Sequence, residues 1–232
     1  MITIRKSNDR GAANHGWLDA KHSFSFANYY DPEHMGFSVL RVINEDKVEG
    51  GMGFATHGHN DMEIITYVIE GALQHKDSMG NTATILPGEV QQMSAGTGVR
   101  HSEFNPQPHQ KTHLLQIWIL PNRVGHTPKY GQKSFAEDLK KGEFVLTASQ
   151  EGRNGSVSLH QDVDMYVVKS ENAGNKKYDL SKNRKAWIQL VKGCVKVNDI
   201  QLNDGDGCAI SEENSVKLQW SANTEFVFFD LP

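Results

Sequence analysis

Short β-rich runs separated by turn sequences recur along the whole of this 232-residue chain. β-Branched and large apolar side chains, which favour strands, dominate these runs, and the clearest of them span residues 38–43, 64–69, 114–119 and 225–229. Turn-forming groups such as Leu86-Pro87-Gly88-Glu89 lie between them. Many short strands at turn-punctuated intervals predict an all-β fold of the sandwich or barrel type.

A faint internal repeat indicates two related β-domains. Residues 67–73 resemble residues 189–195, because each stretch reads as a strand that runs into a glycine turn. Between the two halves the chain becomes polar over residues 122–142. We therefore expect two β-barrel or double-sheet domains joined by a linker, with the following ranges: first domain 1–125, linker 126–142 and second domain 143–232.

The linker contains the clearest helix signal of the chain, over residues 134–141. Ser134 and Glu137 have the spacing of a capping box, and Gly142 lies where a helix C-terminus is expected. One short helix is therefore predicted between the two domains.

Two pairs of polar residues with strand spacing predict a metal site. His57 and His59 are two residues apart, as are His101 and Glu103, and residues two apart on a strand point to the same face. If the two strands face each other, three imidazoles and a carboxylate converge, which is a suitable ligand set for a divalent transition metal. The carboxylate also offsets part of the metal charge.

The two halves differ in histidine content. Ten of the eleven histidines lie at or before His126, and only His160 follows. The second half has no pair of histidines with strand spacing. We therefore expect one metal per chain, bound in the first domain, and a second domain that is a degenerate copy.

Composition narrows the class of protein. The formal net charge is −4 and no dense run of Lys and Arg is present, which argues against direct nucleic-acid binding. No signal sequence and no apolar stretch of spanning length are evident, so a cytoplasmic protein is expected. Cys194 and Cys208 are the only cysteines and are expected to be free structural thiols.

These residues resemble the cupin superfamily and, within it, the pirins. The first cupin motif is met by Gly51, His57, His59 and Glu63, with Gly71 one residue late, and the second is met at its end by Gly98, His101 and Asn105. The resemblance to pirins extends over nearly the whole chain, and its most specific stretch is Ala95-Gly96-Thr97-Gly98-Val99-Arg100-His101-Ser102-Glu103. It implies a bicupin with jelly-roll domains and a metal in the N-terminal one.

The resemblance also implies a ligand set and a cofactor. In pirins the ligands correspond to His57, His59, His101 and Glu103 here, whereas many other cupins use the first-motif glutamate, which is Glu63. Spacing alone leaves both glutamates open, and the pirin resemblance favours Glu103. Fe(II) is the expected metal, and nickel, cobalt, manganese, copper and zinc suit similar ligands.

The quercetinase-like pirins imply an activity. We expect a metal-dependent dioxygenase that cleaves a flavonol such as quercetin with O2 and releases carbon monoxide and a depside, with Glu103 as the base that accepts the proton of the flavonol 3-hydroxyl. The alternative that the resemblance implies is a regulatory pirin, which binds metal and contacts a transcription factor or a metabolic enzyme without turnover. A monomer is expected in either case.

Further polar and aromatic residues receive structural interpretations. His75 and Asp77 share a strand face and are expected to stabilise a turn, and the glycines before His101 are expected to permit positive φ angles. His109, His113 and His126 lack a partner at ligand spacing and are expected to lie at the surface or to be paired with other groups. A cluster of aromatic residues is expected to pack in the core, with pocket lining as the alternative: Phe24, Phe26, Tyr29 and Tyr30.

Overall fold

A computed structural model describes all residues from 1 to 232, and it consists of strands with one short α-helix. No helix of the protein is long and apolar enough to cross a membrane. The strands of the first half and the helix are β1 Ile2–Arg5, β2 Gly11–Asn14, β3 Leu18–His22, β4 Leu40–Val48, β5 Gly53–His59, β6 Glu63–Glu70, β7 Leu73–Asp77, β8 Thr82–Ile85, β9 Glu89–Ser94, β10 Val99–Phe104, β11 Thr112–Ile119, β12 Lys129–Ser134 and α1 Ala136–Leu139. The strands of the second half are β13 Val145–Gln150, β14 Val157–Leu159, β15 Asp164–Ser170, β16 Gly174–Asp179, β17 Lys185–Lys192, β18 Cys194–Val197, β19 Ile200–Asn203, β20 Gly207–Ile210, β21 Ser215–Trp220 and β22 Thr224–Leu231.

The strands form two barrels, each built from one seven-stranded and one four-stranded sheet. In the first barrel the strand orders are β12-β9-β6-β11-β4-β3-β2 and β5-β10-β7-β8. In the second they are β1-β20-β17-β22-β15-β13-β14 and β16-β21-β18-β19. The two barrels therefore share one strand arrangement except at one edge, where β2 pairs antiparallel with β3 but β14 pairs parallel with β13. The predictions of an all-β bicupin and of an internal repeat are confirmed.

One edge strand of each large sheet comes from outside the predicted range of its domain. β1 pairs with β20 of the second barrel, although it lies within the range 1–125 that the sequence assigned to the first domain. β12 pairs with β9 of the first barrel, although it lies within the predicted linker. The two strands occupy equivalent edge positions, and they come from different parts of the chain, β1 from the N-terminal segment and β12 from the predicted linker.

The largest apolar cluster lies between the two seven-stranded sheets. It includes Ile65 and Ile117 from the first sheet and Val167, Val227 and Phe229 from the second, all fully buried. Burial of such side chains contributes about 1.5–3 kcal/mol each. The barrels consequently pack against each other through their large sheets. The interior of each barrel is enclosed on its other side by that barrel's own small sheet and loops.

The interior of the second barrel is filled by hydrophobic side chains. Phe226, Phe228, Leu218 and Trp220 belong to a buried cluster there, and Phe144 packs against its aromatic members with ring centroids 5.6–6.1 Å apart. In the first barrel, the equivalent space holds the polar residues described below.

The predicted helix is shorter than expected and begins later. It spans Ala136–Leu139, and its N-cap is Phe135, whose side chain makes no capping hydrogen bond. The capping box prediction is wrong because Ser134 is the last residue of β12, and its backbone follows the strand rather than the entry of a helix.

Candidate metal centre

The two predicted pairs lie on neighbouring antiparallel strands of the small sheet of the first barrel. β5 contributes His57 and His59, β10 contributes His101 and Glu103, and His101 lies directly opposite His57. A tight turn precedes β10, in which Gly96 has φ 46°. A Cβ at Gly96 would collide with the carbonyl oxygen of His126, so this turn requires glycine.

The histidine side chains converge on one point. The Nε2 atoms of His57 and His101 are 3.1 Å apart, and the ligand atoms of His57, His59 and His101 all lie within 4.8 Å of one another. Nitrogen ligands at about 2.1 Å from one ion lie roughly 3–4 Å apart in tetrahedral or octahedral geometry. The three imidazoles therefore fit a single divalent ion.

A β-bulge orients the ring of His57. The pairing of β5 with β10 shifts by one residue between His101 and Glu103, and the carbonyl oxygen of Ala55 lies 2.8 Å from His57 Nδ1. Because Nδ1 donates to this carbonyl, the lone pair of His57 resides on Nε2, the atom that faces His101.

The other two histidines are held neutral. Burial lowers the pKa of His59 to about 4, and the electrostatic interaction with the neighbouring His57 ring lowers it further. Burial and the neighbouring histidines lower the pKa of His101 to about 3. A neutral imidazole has a free lone pair, so both residues are ready to bind a metal at physiological pH.

Glu103 is buried beside His101 and His75, and the ligand atoms of these three residues all lie within 4.8 Å of one another. Its side chain accepts hydrogen bonds from Gln116 Nε2 at 3.0 Å and from Thr66 Oγ1 at 3.4 Å. Burial raises the pKa of Glu103 to about 7, and the two hydrogen bonds limit the rise. Glu103 is thus poised between the acid and the carboxylate near neutral pH.

The partners of Glu103 belong to a polar row that crosses the large sheet. His22 is opposite Asn44, Asn44 is opposite Gln116, and Gln116 is opposite Thr66. The His22 Nδ1 atom is 2.8 Å from Asn44 Oδ1, and Thr66 Oγ1 donates to Gln116 Oε1 at 2.8 Å. The last bond orients the amide of Gln116 so that its Nε2 donates to Glu103.

Glu63 lies apart from the histidine cluster. Its buried carboxylate accepts hydrogen bonds from Gln92 Nε2 at 3.0 Å and Ser94 Oγ at 2.9 Å, and it lies 3.1 Å from His160 Nδ1 of the second domain. The chain leaves the small sheet between β5 and β6, so Glu63 belongs to the large sheet. The rule that alternate residues of one strand point to the same face therefore does not relate Glu63 to His59.

A narrow cavity of about 60 Å³ adjoins the histidines. Its walls combine apolar and polar side chains of both sheets, namely Phe26, Asn44, Asp46, Phe54, His57, His59, Leu73, Glu103, Leu114, Gln116 and Trp118. Trp118 contacts the His59 ring edge to face, with centroids 4.9 Å apart, and Phe26 contacts Trp118 at 5.4 Å. The cavity suits a flat, apolar ring beside a metal.

The environments of two buried residues near the metal centre were missed from the sequence. His75, expected to stabilise a turn, is fully buried beside His101, with ring centroids 5.3 Å apart, while Asp77 bonds it at 3.0 Å and also accepts from the turn amides of Met79 and Asn81. Asp46 is the second, because its carboxyl makes no hydrogen bond with the protein. No sequence spacing links either residue to the histidine pairs.

The expectations for the other histidines and for the cysteines are confirmed. His113 bonds Glu45 at 2.9 Å, His126 bonds Asn122 at 2.9 Å, and both cysteines are free thiols. The aromatic cluster is divided, because Phe24 packs on Trp187 in the core with ring centroids 4.9 Å apart and Phe26 lines the cavity. For Tyr30 the expectation is wrong, since this side chain is exposed at the surface.

Comparison with known families gives two matches that together extend over most of the chain. A family model described as Pirin matches residues 3–119. A second, described as the quercetinase C-terminal cupin domain, matches residues 146–231. The boundary between the two matches falls in the segment that separates the two barrels.

Individual proteins resemble the chain over its full length. The quercetin 2,3-dioxygenase of Escherichia coli (strain K12) is 49% identical over 235 residues, which cover 100% of this chain and 99% of the relative. The crystal structure of YhhW from Escherichia coli superimposes with a TM-score of 0.96 at 48% identity, covering 100% of this chain and 98% of the other. The structure of the bacterial pirin YhhW in complex with nickel(II) superimposes with a TM-score of 0.95, covering 100% and 99%.

Proposed function

This chain belongs to the pirin family, and from that premise we propose that it is a metal-dependent dioxygenase that cleaves a flavonol such as quercetin with O2. The observation that carries the proposal is the convergence of His57, His59 and His101 beside buried Glu103, at a cavity with aromatic walls. Similarity to the quercetin 2,3-dioxygenase of Escherichia coli over the full length supports the same reaction.

We further propose that His57, His59, His101 and Glu103 hold one divalent metal, with Fe(II) as the native ion. The nitrogen spacing and the neutral state of His59 and His101 support this ligand set, and the nickel(II) complex of YhhW supports a divalent ion. When bound, the metal acts as a Lewis acid that lowers the pKa of a coordinated hydroxyl group.

Glu103 acts as the base in this proposal. A pKa of about 7 matches the proton-transfer task at neutral pH. Gln116 Nε2 holds the carboxyl group in place, and Thr66 holds Gln116. The proton of the flavonol hydroxyl passes to a Glu103 oxygen, and the anionic ring becomes electron-rich enough to react with O2.

The apolar walls orient the substrate and keep water away. Phe26, Phe54 and Trp118 offer flat surfaces for a fused aromatic ring. The cavity is smaller than the ~300–1,000 Å³ of typical ligand sites, so substrate entry requires wall side chains to move.

The experiment is a comparison of quercetin loss with and without O2. Protein loaded with Fe(II) should consume quercetin in air and release carbon monoxide, whereas the same protein under nitrogen, and chelator-treated protein in air, should not. Loss of quercetin that proceeds equally without metal or without O2 would falsify the proposal.

A further inference from the structure

The cavity contains one carboxyl group that the protein itself leaves without a partner. Asp46 lines the cavity, its residue is 4% exposed, and its buried Oδ1 atom has no hydrogen-bond partner. We propose that Asp46 is a substrate-recognition residue. Its carboxyl group accepts a hydrogen bond from a second hydroxyl of the aromatic substrate, which is located on a part of the ring system distant from the metal-binding oxygen. This inference rests on the proposed function and adds a determinant of specificity to it.

The strand geometry directs Asp46 into the barrel. On β4, Asn44, Asp46 and Val48 are buried and face the interior, whereas Lys47 is exposed on the other face. In the sheet Asp46 lies between Ala20 of β3 and Leu114 of β11. Neither neighbour can form a side-chain hydrogen bond. Asp46 therefore lies outside the polar row to which Asn44 and Gln116 belong.

The other polar side chains of the cavity are already engaged. Gln116 uses its amide nitrogen for Glu103 and its oxygen for Thr66, and Asn44 Oδ1 lies at hydrogen-bond distance from His22. Asp46 is therefore the acceptor with free capacity. The same cavity is also lined by the apolar side chains of Phe54, Leu73 and Leu114, which offer an aromatic ring apolar contact.

A structural role does not account for a carboxyl group at this position. Burying it without a partner lowers stability, and the negative charges of Glu103, Glu45 and Asp19 add repulsion. An apolar side chain of similar size would fill the place at lower cost. A group that destabilises the fold and faces the substrate cavity is typical of a binding site, where function and stability conflict.

The environment also selects the class of ligand group. Asp46 is enclosed largely by apolar walls, so an uncharged hydroxyl donor can pair with it without bringing a second charged group into the cavity. This chemistry favours a polyhydroxylated flavonol over one whose only hydroxyl is the metal-binding one.

The test compares two flavonols on three variants. Quercetin carries hydroxyls on its outer rings, whereas 3-hydroxyflavone has only the metal-binding hydroxyl. Asp46→Leu removes the acceptor, Asp46→Asn keeps one acceptor oxygen, and Asp19→Asn removes a nearby exposed charge outside the cavity as the matched control. For wild type and each variant we would measure metal content, thermal unfolding, KM and kcat. Anaerobic binding of each flavonol would be measured from the change in its absorption spectrum.

For quercetin, Asp46→Leu should raise KM and the anaerobic Kd about tenfold, the effect of one or two hydrogen bonds. For 3-hydroxyflavone both values should stay within about twofold, since no hydroxyl reaches Asp46. Asp46→Asn should lie between, metal content should be unchanged, and the Tm should not fall. Asp19→Asn should behave as wild type with both flavonols.

Two outcomes overturn the inference in different ways. If wild type consumes flavonols but Asp46→Leu changes KM and Kd for both substrates by the same factor, or for neither, the recognition role fails and the proposed function stands. If wild type neither binds nor consumes any flavonol, the proposed function fails and the inference falls with it.

Discussion

Replacing Glu103 with Gln should increase the stability of the metal-free protein and decrease the stability of the metal-loaded protein. Glu103 is buried, and its pKa of about 7 lies above the ordinary 4.5. Below pH 4.5 the carboxyl is protonated in both the folded and the unfolded state. As the pH rises to 7, only the unfolded state releases the proton, and wild-type stability falls.

The size of this penalty follows from the two pKa values. The interval between 4.5 and about 7, at about 1.4 kcal/mol per pH unit, corresponds to roughly 3 kcal/mol above pH 7. Glutamine has no charge to bury, and its oxygen can still accept from Gln116, although one weaker contact with Thr66 changes at a cost of about 1 kcal/mol. The net gain for the metal-free variant is then about 2 kcal/mol at pH 8.

The assay is urea unfolding of chelator-treated wild type and Glu103→Gln at several pH values between 4.5 and 8. The stability difference should be close to zero or slightly unfavourable at pH 4.5 and should grow to about 2 kcal/mol in favour of the variant at pH 8. With one equivalent of metal the order should reverse, because the variant loses a charged ligand. A difference that does not change with pH in the metal-free proteins would show that Glu103 carries no buried charge, and the reasoning would be refuted.

Three further predictions concern the metal and its neighbours. Metal affinity should fall about tenfold per pH unit below pH 7 as Glu103 takes up a proton, and a calorimetric titration that gives a flat profile from pH 5 to 8 would contradict this. His101→Ala should lose most of the metal by elemental analysis, whereas Glu63→Gln should retain it and lose about 1–3 kcal/mol of stability, because a buried acceptor of His160 and its neighbours is weakened; metal loss in Glu63→Gln instead would assign the ligand role to Glu63. Gln116→Leu should lower kcat more than it raises KM, since it frees the Glu103 carboxyl; an equal effect on both would argue for simple loss of packing.

Strand periodicity and turn sequences carry enough information to predict the fold and the histidine part of the site. His57 and His59 share a face because the side-chain period of a strand is two residues, and β5 has this geometry. The internal repeat predicted two barrels because the equivalent strands β6 and β17 both end at a glycine turn. These properties are local, so a single sequence reveals them.

Contacts across strands could not be read in the same way. Gln116, Asn44 and Asp46 become cavity residues through the pairing of β4 with β11, which joins segments about seventy residues apart in sequence. Each of them alone is an ordinary polar residue in a strand. Their role can be recognised only when the strand order of the sheet is known. Period-two spacing shows which side chains share a face of one strand, but it does not show which strand lies beside it.

The choice between the two glutamates shows the same limit. Glu63 follows His59 by four residues, which suits a continuous strand, but the chain changes sheets between β5 and β6. The missing capping box has a related cause, since Ser134 was recruited to β12 by its pairing with Glu89. In both cases tertiary pairing overrides a local pattern.

The central claim is that one metal, held in the first barrel, drives O2-dependent flavonol cleavage. The most direct measurement is turnover of quercetin in air against added Fe(II), from zero to two equivalents per chain, for wild type and His101→Ala. We predict that wild-type turnover rises linearly and levels off at one equivalent, and that His101→Ala stays inactive throughout. Activity in metal-free wild type, or in His101→Ala at the same level as wild type, would contradict the claim.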